Sequence, residues 1–131
     1  MENNKKLRVA AYVRISVETK ETQHSLHAQE EFYRRQIHEN TQWEMAGIYK
    51  DNGISGTDIK RREGLVRLIS DCETGKIDLI LVKSVSRFAR NTLDLLRIVR
   101  HLKQLGVAVW FEEQNINSLT EEGELMLTLM A

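Results

Sequence analysis

The sequence has no proline among its 131 residues, where average usage of about 5% would give roughly six. That excludes Pro-rich linkers and favours dense regular structure. A single cysteine, Cys72, rules out an internal disulfide framework and any cysteine-cluster zinc site. No run of 18 apolar residues is present, so a helical membrane span is not expected. The polar start, Met1 to Lys6, has no apolar signal-peptide core, and the chain reads as cytoplasmic. Net charge is also missing, with 19 basic residues against 19 acidic ones.

What is present is segregated. Lys83 to Lys103 holds six positive residues (Lys83, Arg87, Arg90, Arg97, Arg100, Lys103) against Asp94 alone. Glu112 to Glu124 holds five glutamates and no Lys or Arg. Lys60, Arg61, Arg62 and Arg67 against Glu63 form a smaller basic cluster. Such segregation creates local potential on a neutral chain, although a solvated helix face with compensating neighbours has the same signature.

Hydrophobic patterning predicts a first strand over Leu7–Ile15 and a helix over Ser25–Asn40 with Ser25 as its N-cap. A second strand is expected over Trp43–Asp51, and a Gly/Asn/Ser/Asp-rich loop over Asp51–Lys60. Leu65, Leu68, Ile69 and Cys72 place one apolar face on a helix over Glu63–Thr74, ended by Gly75. Ile77–Lys83 reads as a strand covered on both faces. A helix follows over Thr92–Leu105, stopped by Gly106, then a strand over Val107–Phe111 and an apolar helix from Glu122. The alternation predicts an α/β domain with a mainly parallel sheet of four or five strands flanked by helices. Ligand sites on such sheets lie at the carboxyl ends of strands. Here that rule selects Arg14–Ser16, Asp51–Lys60, Lys83–Arg90 and the segment from Glu112 onward.

Period-two alternation puts Tyr12, Arg14 and Ser16 on one side of the first strand. An arginine in an otherwise apolar strand is costly unless it is paired or meets an anion. Arg87 and Arg90 share a face if their turn is helical. One hydroxyl among Arg14, Arg62, Lys83, Arg87 and Arg90 suits phosphoryl transfer, because guanidinium forks hold the non-bridging oxygens on which charge develops. The four histidines are scattered, no Walker loop is present, and Gly53-x-x-Gly56 is no dinucleotide fingerprint. Neither a metal nor a nucleotide cofactor is expected. Taken singly, these residues have plainer readings: Ser16 as a turn residue, Arg14 paired with a carboxylate, Cys72, Trp43 and Trp110 as packing residues.

In order, Tyr12-x-Arg14-x-Ser16, Ser25-Leu26-x-x-Gln29, Asp51-x-Gly53-x-Ser55-Gly56, Arg62-x-Gly64-Leu65 and Leu81 through Asn91 (LVKSVSRFARN) resemble the catalytic domain of the serine site-specific recombinases, the resolvase/invertase family. The likeness runs from Arg8 to the final residues. It implies that Ser16 attacks a DNA phosphodiester to give a 5′-phosphoserine link, with strand exchange and religation needing no ATP. It also implies that Arg14, Arg87 and Arg90 hold the phosphate, that Lys83 and Arg62 assist, and that Tyr12, Gln29 and Asp51 shape the site. Position 86 is serine where small resolvases and invertases usually have aspartate, and Ser-Arg-Phe-x-Arg-Asn resembles the large serine recombinases of mobile elements. Ser86 cannot act as a carboxylate acid or base, which leaves Asp51, an arginine or water for proton transfer.

The resemblance further implies double-stranded DNA as partner, a homodimer that pairs into a synaptic homotetramer, and a nucleoid-associated location. Residues 1–131 are expected to be the catalytic domain of a longer protein, ending within the family's long helix (Gly123-Glu124-Leu125-Met126), with the DNA-binding domains outside this chain. Rival readings are a small resolvase or invertase, a non-catalytic regulatory α/β module and a metal-dependent nuclease. The regulatory module would need clustered acidic residues where Arg14 and Ser16 stand. The nuclease would need converging carboxylates beyond Glu112 and Glu113.

Overall fold

The structure, a computed structural model, describes residues 5–15, 20–51, 62–89 and 91–129. Among these residues, five strands and five helices alternate: β1 (Leu7–Arg14), α1 (Lys20–Glu39), β2 (Trp43–Asp51), α2 (Glu63–Glu73), β3 (Leu79–Val82), α3 (Val85–Phe88), α4 (Thr92–Gln104), β4 (Ala108–Phe111), β5 (Ile116–Asn117) and α5 (Glu121–Leu129). The strands form one sheet in the order β2-β1-β3-β4-β5. All neighbours are parallel except β4 and β5. This is the α/β architecture expected from the alternation. Among the described residues, no helix is long and apolar enough to cross a membrane.

The sheet is covered on both faces, which explains why its central strands are apolar almost without interruption. Val9, Ala11, Val13, Ile15, Leu79, Leu81 and Ala108 pack with Leu26, Tyr33 and Ile37 of α1. Ala10, Tyr12, Ile80, Val82, Val109 and Phe111 pack on the opposite face with α2, α4 and Leu127 of α5. Cys72 is a core residue there, and burial pushes its thiol up to about 12, which keeps it protonated and inert.

Two helices stop where glycine allows the chain to turn left-handed. Gly75 (φ 77°) and Gly106 (φ 79°) follow α2 and α4. In each case, two backbone amides return to the last turn: Gly75 and Lys76 to Cys72 and Asp71, Gly106 and Val107 to Lys103 and Leu102. These are Schellman ends, and they set the entries to β3 and β4.

Most bounds shift by one or two residues, β3 narrowing to Leu79–Val82, and one shifts by more. Helix α1 begins at Lys20, so Ser25 lies inside it and is not its N-cap. Lys20, Glu21 and Gln23 are good helix formers and carry the helix further back. Ser25 Oγ instead accepts from Gln29 Nε2 one turn on, at 3.3 Å. The one-turn helix α3 and the two-residue strand β5 are too short to leave a periodic signal.

Candidate active site

The strand order reverses between β1 and β3: the chain leaves β1 for one side of the sheet and returns to β3 on the other. Crevices in α/β sheets open at such a point, at the carboxyl ends of the strands. The residues that the sequence marked out gather there, in two groups on opposite faces of the sheet.

The first group lies on the α2–α3 side. Arg14, the last residue of β1, is 7% exposed, and its guanidinium points to α3. Nε donates to the Arg87 carbonyl at 3.1 Å and Nη2 to the Ser86 carbonyl at 2.9 Å. Arg62, just ahead of α2, has no exposed surface. Its Nη2 donates to the same Arg87 carbonyl at 2.8 Å and to the Tyr12 hydroxyl at 2.8 Å, with Nε adding a bond to that hydroxyl at 3.2 Å. The two arginines therefore converge on the carbonyls of a single helical turn, where oxygens that lack helix partners carry partial negative charge. Nη1 of Arg62 is buried and makes no hydrogen bond.

Tyr12 links this pair to a carboxylate. Its hydroxyl accepts from Arg62 and donates to Asp51 Oδ2 at 2.7 Å. Burial holds the phenol well above its usual pKa, so the proton stays on the ring oxygen as that chain of bonds requires. Asp51 closes the chain by accepting from the Gly64 amide at 2.7 Å and the Leu65 amide at 3.0 Å. Asp51 thus caps α2 from the end of β2, standing in for Arg62, whose own side chain makes no capping bond. The fit requires glycine at 64, since a Cβ there would run into the Lys50 carbonyl. With its oxygens turned to the helix and to Tyr12, Asp51 orders the site and does not face open solvent; it is 4% exposed.

The second group lies on the α1 side. A cavity of about 350 Å³ is lined by Ser25, Gln29, Phe32, Tyr33, Lys83 and Glu112. The β3–β4 register pairs Val82 with Phe111, and it continues into bonds from the Glu112 amide to Val82 O (3.0 Å) and from the Glu113 amide to Lys83 O (2.8 Å). Lys83 and Glu112 therefore leave neighbouring strand tips toward the same cavity. Tyr33 donates to Glu112 Oε1 at 3.3 Å. Burial, reinforced by the Glu112 charge, raises the Tyr33 pKa, while the Arg87 charge acts the other way.

Arg87 joins the groups. Its carbonyl receives Arg14 and Arg62, and its Nη1 donates to the Arg14 carbonyl. Ser86 is exposed, and its hydroxyl shares a 3.1 Å bond with that of Ser84. Ser16 and Arg90, the remaining sequence-marked residues, lie outside the described residues, as does the loop after Asp51. The structure thus brings Tyr12, Arg14, Asp51, Arg62, Ser86 and Arg87 together, and sets Lys83 and Gln29 in the adjoining cavity. Sequence reasoning had no place for Tyr33 as a site residue, and reached Glu112 only through the strand-end rule and as a metal ligand of the nuclease reading. The register of the β3 and β4 tips was the signal for Glu112. Among the described residues, no group of three or more His, Cys, Asp or Glu is placed to hold a metal ion.

A 2-1-3-4-5 sheet with arginines converging on its switch point defines an α/β domain whose site is built from guanidinium groups rather than a nucleotide loop. The family model of the resolvase N-terminal domain matches residues 9–131. The chain belongs to that family, as the catalytic domain of a serine recombinase. It is 38% identical to the transposon Tn21 resolvase of Escherichia coli over 96 residues, which are 70% of this chain and 50% of that protein. It is 35% identical to the Escherichia coli transposon Tn3 resolvase over 70 residues, 53% of this chain and 37% of that one. The chain thus spans half or less of the length of these relatives. Among solved structures, a resolvase family site-specific recombinase from Streptococcus pneumoniae is 31% identical, with a TM-score of 0.77 over 95% of this chain and 83% of its own. The N-terminal catalytic domain of TP901-1 integrase is 26% identical, with a TM-score of 0.72 over 94% and 90%.

Proposed function

We propose that the protein cuts and rejoins double-stranded DNA at a specific site, with Ser16 as the nucleophile. The observation that carries this reading is the convergence of Arg14, Arg62 and Arg87 at the switch point, where Arg14 stands two positions before Ser16 in the sequence. The Ser16 oxygen forms a bond to phosphorus, the bond from phosphorus to the 3′-oxygen breaks, and that oxygen takes up a proton as a free 3′-hydroxyl. The 5′-phosphoserine ester keeps the linkage, so the reverse attack by a 3′-hydroxyl rejoins the strands without ATP.

In the free chain, Arg14 and Arg62 donate to neutral carbonyl and hydroxyl oxygens. A phosphate offers charge-assisted, bidentate bonds about twice as strong as neutral ones. Its arrival exchanges the first set for the second, and Arg62 Nη1, buried without a hydrogen bond, becomes a further donor once that exchange opens the site. Arg90 completes the phosphate contacts, while Tyr12, Asp51 and Gln29 hold the surrounding groups. With Asp51 committed to α2 and serine at 86, proton transfer falls to an arginine or to water.

Ser86 supports the large serine recombinase branch, acting in integration or excision of a mobile element. The 38% identity to the Tn21 resolvase supports a second reading, a small resolvase. The exposed Leu125, Met126 and Leu129 of α5 suit a homodimer interface, with the synaptic tetramer built from two dimers.

The test is cleavage of duplexes carrying the DNA that flanks the gene, by the protein in its natural full length, with chelator and then with magnesium. The reading predicts metal-independent cleavage that Ser16→Ala abolishes while binding persists. Cleavage by the alanine variant, or cleavage only with magnesium, overturns it in favour of a metal-dependent nuclease.

A further inference from the structure

We propose that Glu112 is a built-in counter-ion of the Lys83 side of the site, occupying the positive field there until a DNA phosphate displaces it. This rests on the recombinase reading above. Three observations place the carboxylate. The continued β3–β4 register sets Glu112 beside Lys83 at adjoining strand tips, and both side chains line the cavity under α1. Tyr33, 2% exposed and held in the core, donates to Oε1 and keeps the carboxylate aimed at the cavity rather than at solvent. Arg87 acts electrostatically on the same tyrosine, so its guanidinium belongs to the same local field.

A carboxylate at this place is at odds with phosphate binding unless it yields. It lines the same cavity as Lys83, and charges nearer than a Debye length, about 8 Å at physiological salt, are not screened from each other. The free chain gains from it. Without Glu112, the cavity beside Lys83 would lose the one carboxylate among its lining residues, since Asp51 is turned to α2. Glu113, the next residue in the turn after β4, is exposed and does not line the cavity, although its charge also reaches Tyr33. Glu112 is therefore a positioning residue that sets how readily the site accepts an anion.

The test uses the chain with a fluorophore-labelled 20-base-pair duplex, its anisotropy followed from 50 to 200 mM salt. Glu112→Gln retains an oxygen to accept from Tyr33 and removes only the charge; Glu113→Gln removes the same charge one residue away. The proposal expects Glu112→Gln to tighten binding about three- to tenfold at the low-salt end. It also expects a log K against log salt slope steeper by about 0.9, the signature of one further neutralised phosphate. Glu113→Gln should leave the slope unchanged. Equal effects of the two substitutions would reduce the finding to bulk charge and overturn the counter-ion role, as would a Glu112→Gln slope equal to that of the unmodified chain. If no variant binds at 50 mM salt, Lys83 and Glu112 form no phosphate site in this chain, and the counter-ion proposal fails while the functional reading stands on the cleavage test of the full-length protein.

Discussion

The two groups at the carboxyl edge of the sheet are built on opposite plans. On the α2–α3 side the frame is buried and bonded: Arg62, Tyr12, Asp51 and the start of α2 form one continuous chain. On the α1 side, Lys83 and Gln29 stand at an open cavity with a carboxylate between strand tips. Buried networks are rigid, and each member is expensive to lose; exposed charges are adjustable and cheap to change. The difference teaches that one half of the site fixes geometry and the other governs access. Arg87 is the member common to both.

The largest expected effect follows from that shared position. Arg87→Ala should lower strand cleavage by about 10²–10³, the loss seen when a single transition-state donor is removed. The check is single-turnover cleavage at saturating protein. A variant that cuts normally would break the bridge between the groups.

Next comes stability. Asp51→Ala removes a helix cap and leaves the buried Tyr12 hydroxyl without its acceptor, a loss of about 2–4 kcal/mol in urea unfolding. Glu112→Ala should cost no more than about 1 kcal/mol, since it removes a single long hydrogen bond from Tyr33. Equal losses for the two would erase the contrast between a buried frame and an adjustable rim. Gly64→Ala sharpens it from the backbone side. The added Cβ meets the Lys50 carbonyl, so α2 must draw away from Asp51, and destabilisation of about 1–3 kcal/mol is expected by the same measurement.

The smallest effect lies at the far end of the sheet, where Arg8 bonds Asp78. That bond holds the Asp78 carboxyl below its ordinary range. A carboxylate with a lowered folded pKa adds stability above its unfolded pKa, near 3.9, and loses it as pH falls through the folded value. Asp78→Asn should therefore be slightly less stable than the unmodified chain at pH 7, and the two urea midpoints should converge below about pH 3. The exposed setting keeps the gap small.

Much of this was legible in the sequence. Strand β2 lies where patterning put it, and glycines 75 and 106 end their helices as their positions imply. The shared face of Tyr12 and Arg14 followed from alternation alone, and both meet Arg62 or Arg87. Other features were hidden for physical reasons. The Asp51 cap reaches Gly64, 13 positions along the sequence, so no local motif announces it. Short elements such as α3 escape periodicity, yet the carbonyls of α3 receive both arginines. Lys83 seemed part of one cationic cluster because its side of the sheet depends on strand register, which patterning does not give.

The central claim is most directly tested by trapping the covalent intermediate. The full-length protein is reacted with labelled duplex in chelator, quenched in denaturant and digested, and the modified peptide is sequenced by mass spectrometry. The account predicts a 5′-phosphate adduct on Ser16. Cleaved DNA with no protein adduct, or an adduct on any other side chain, would contradict it.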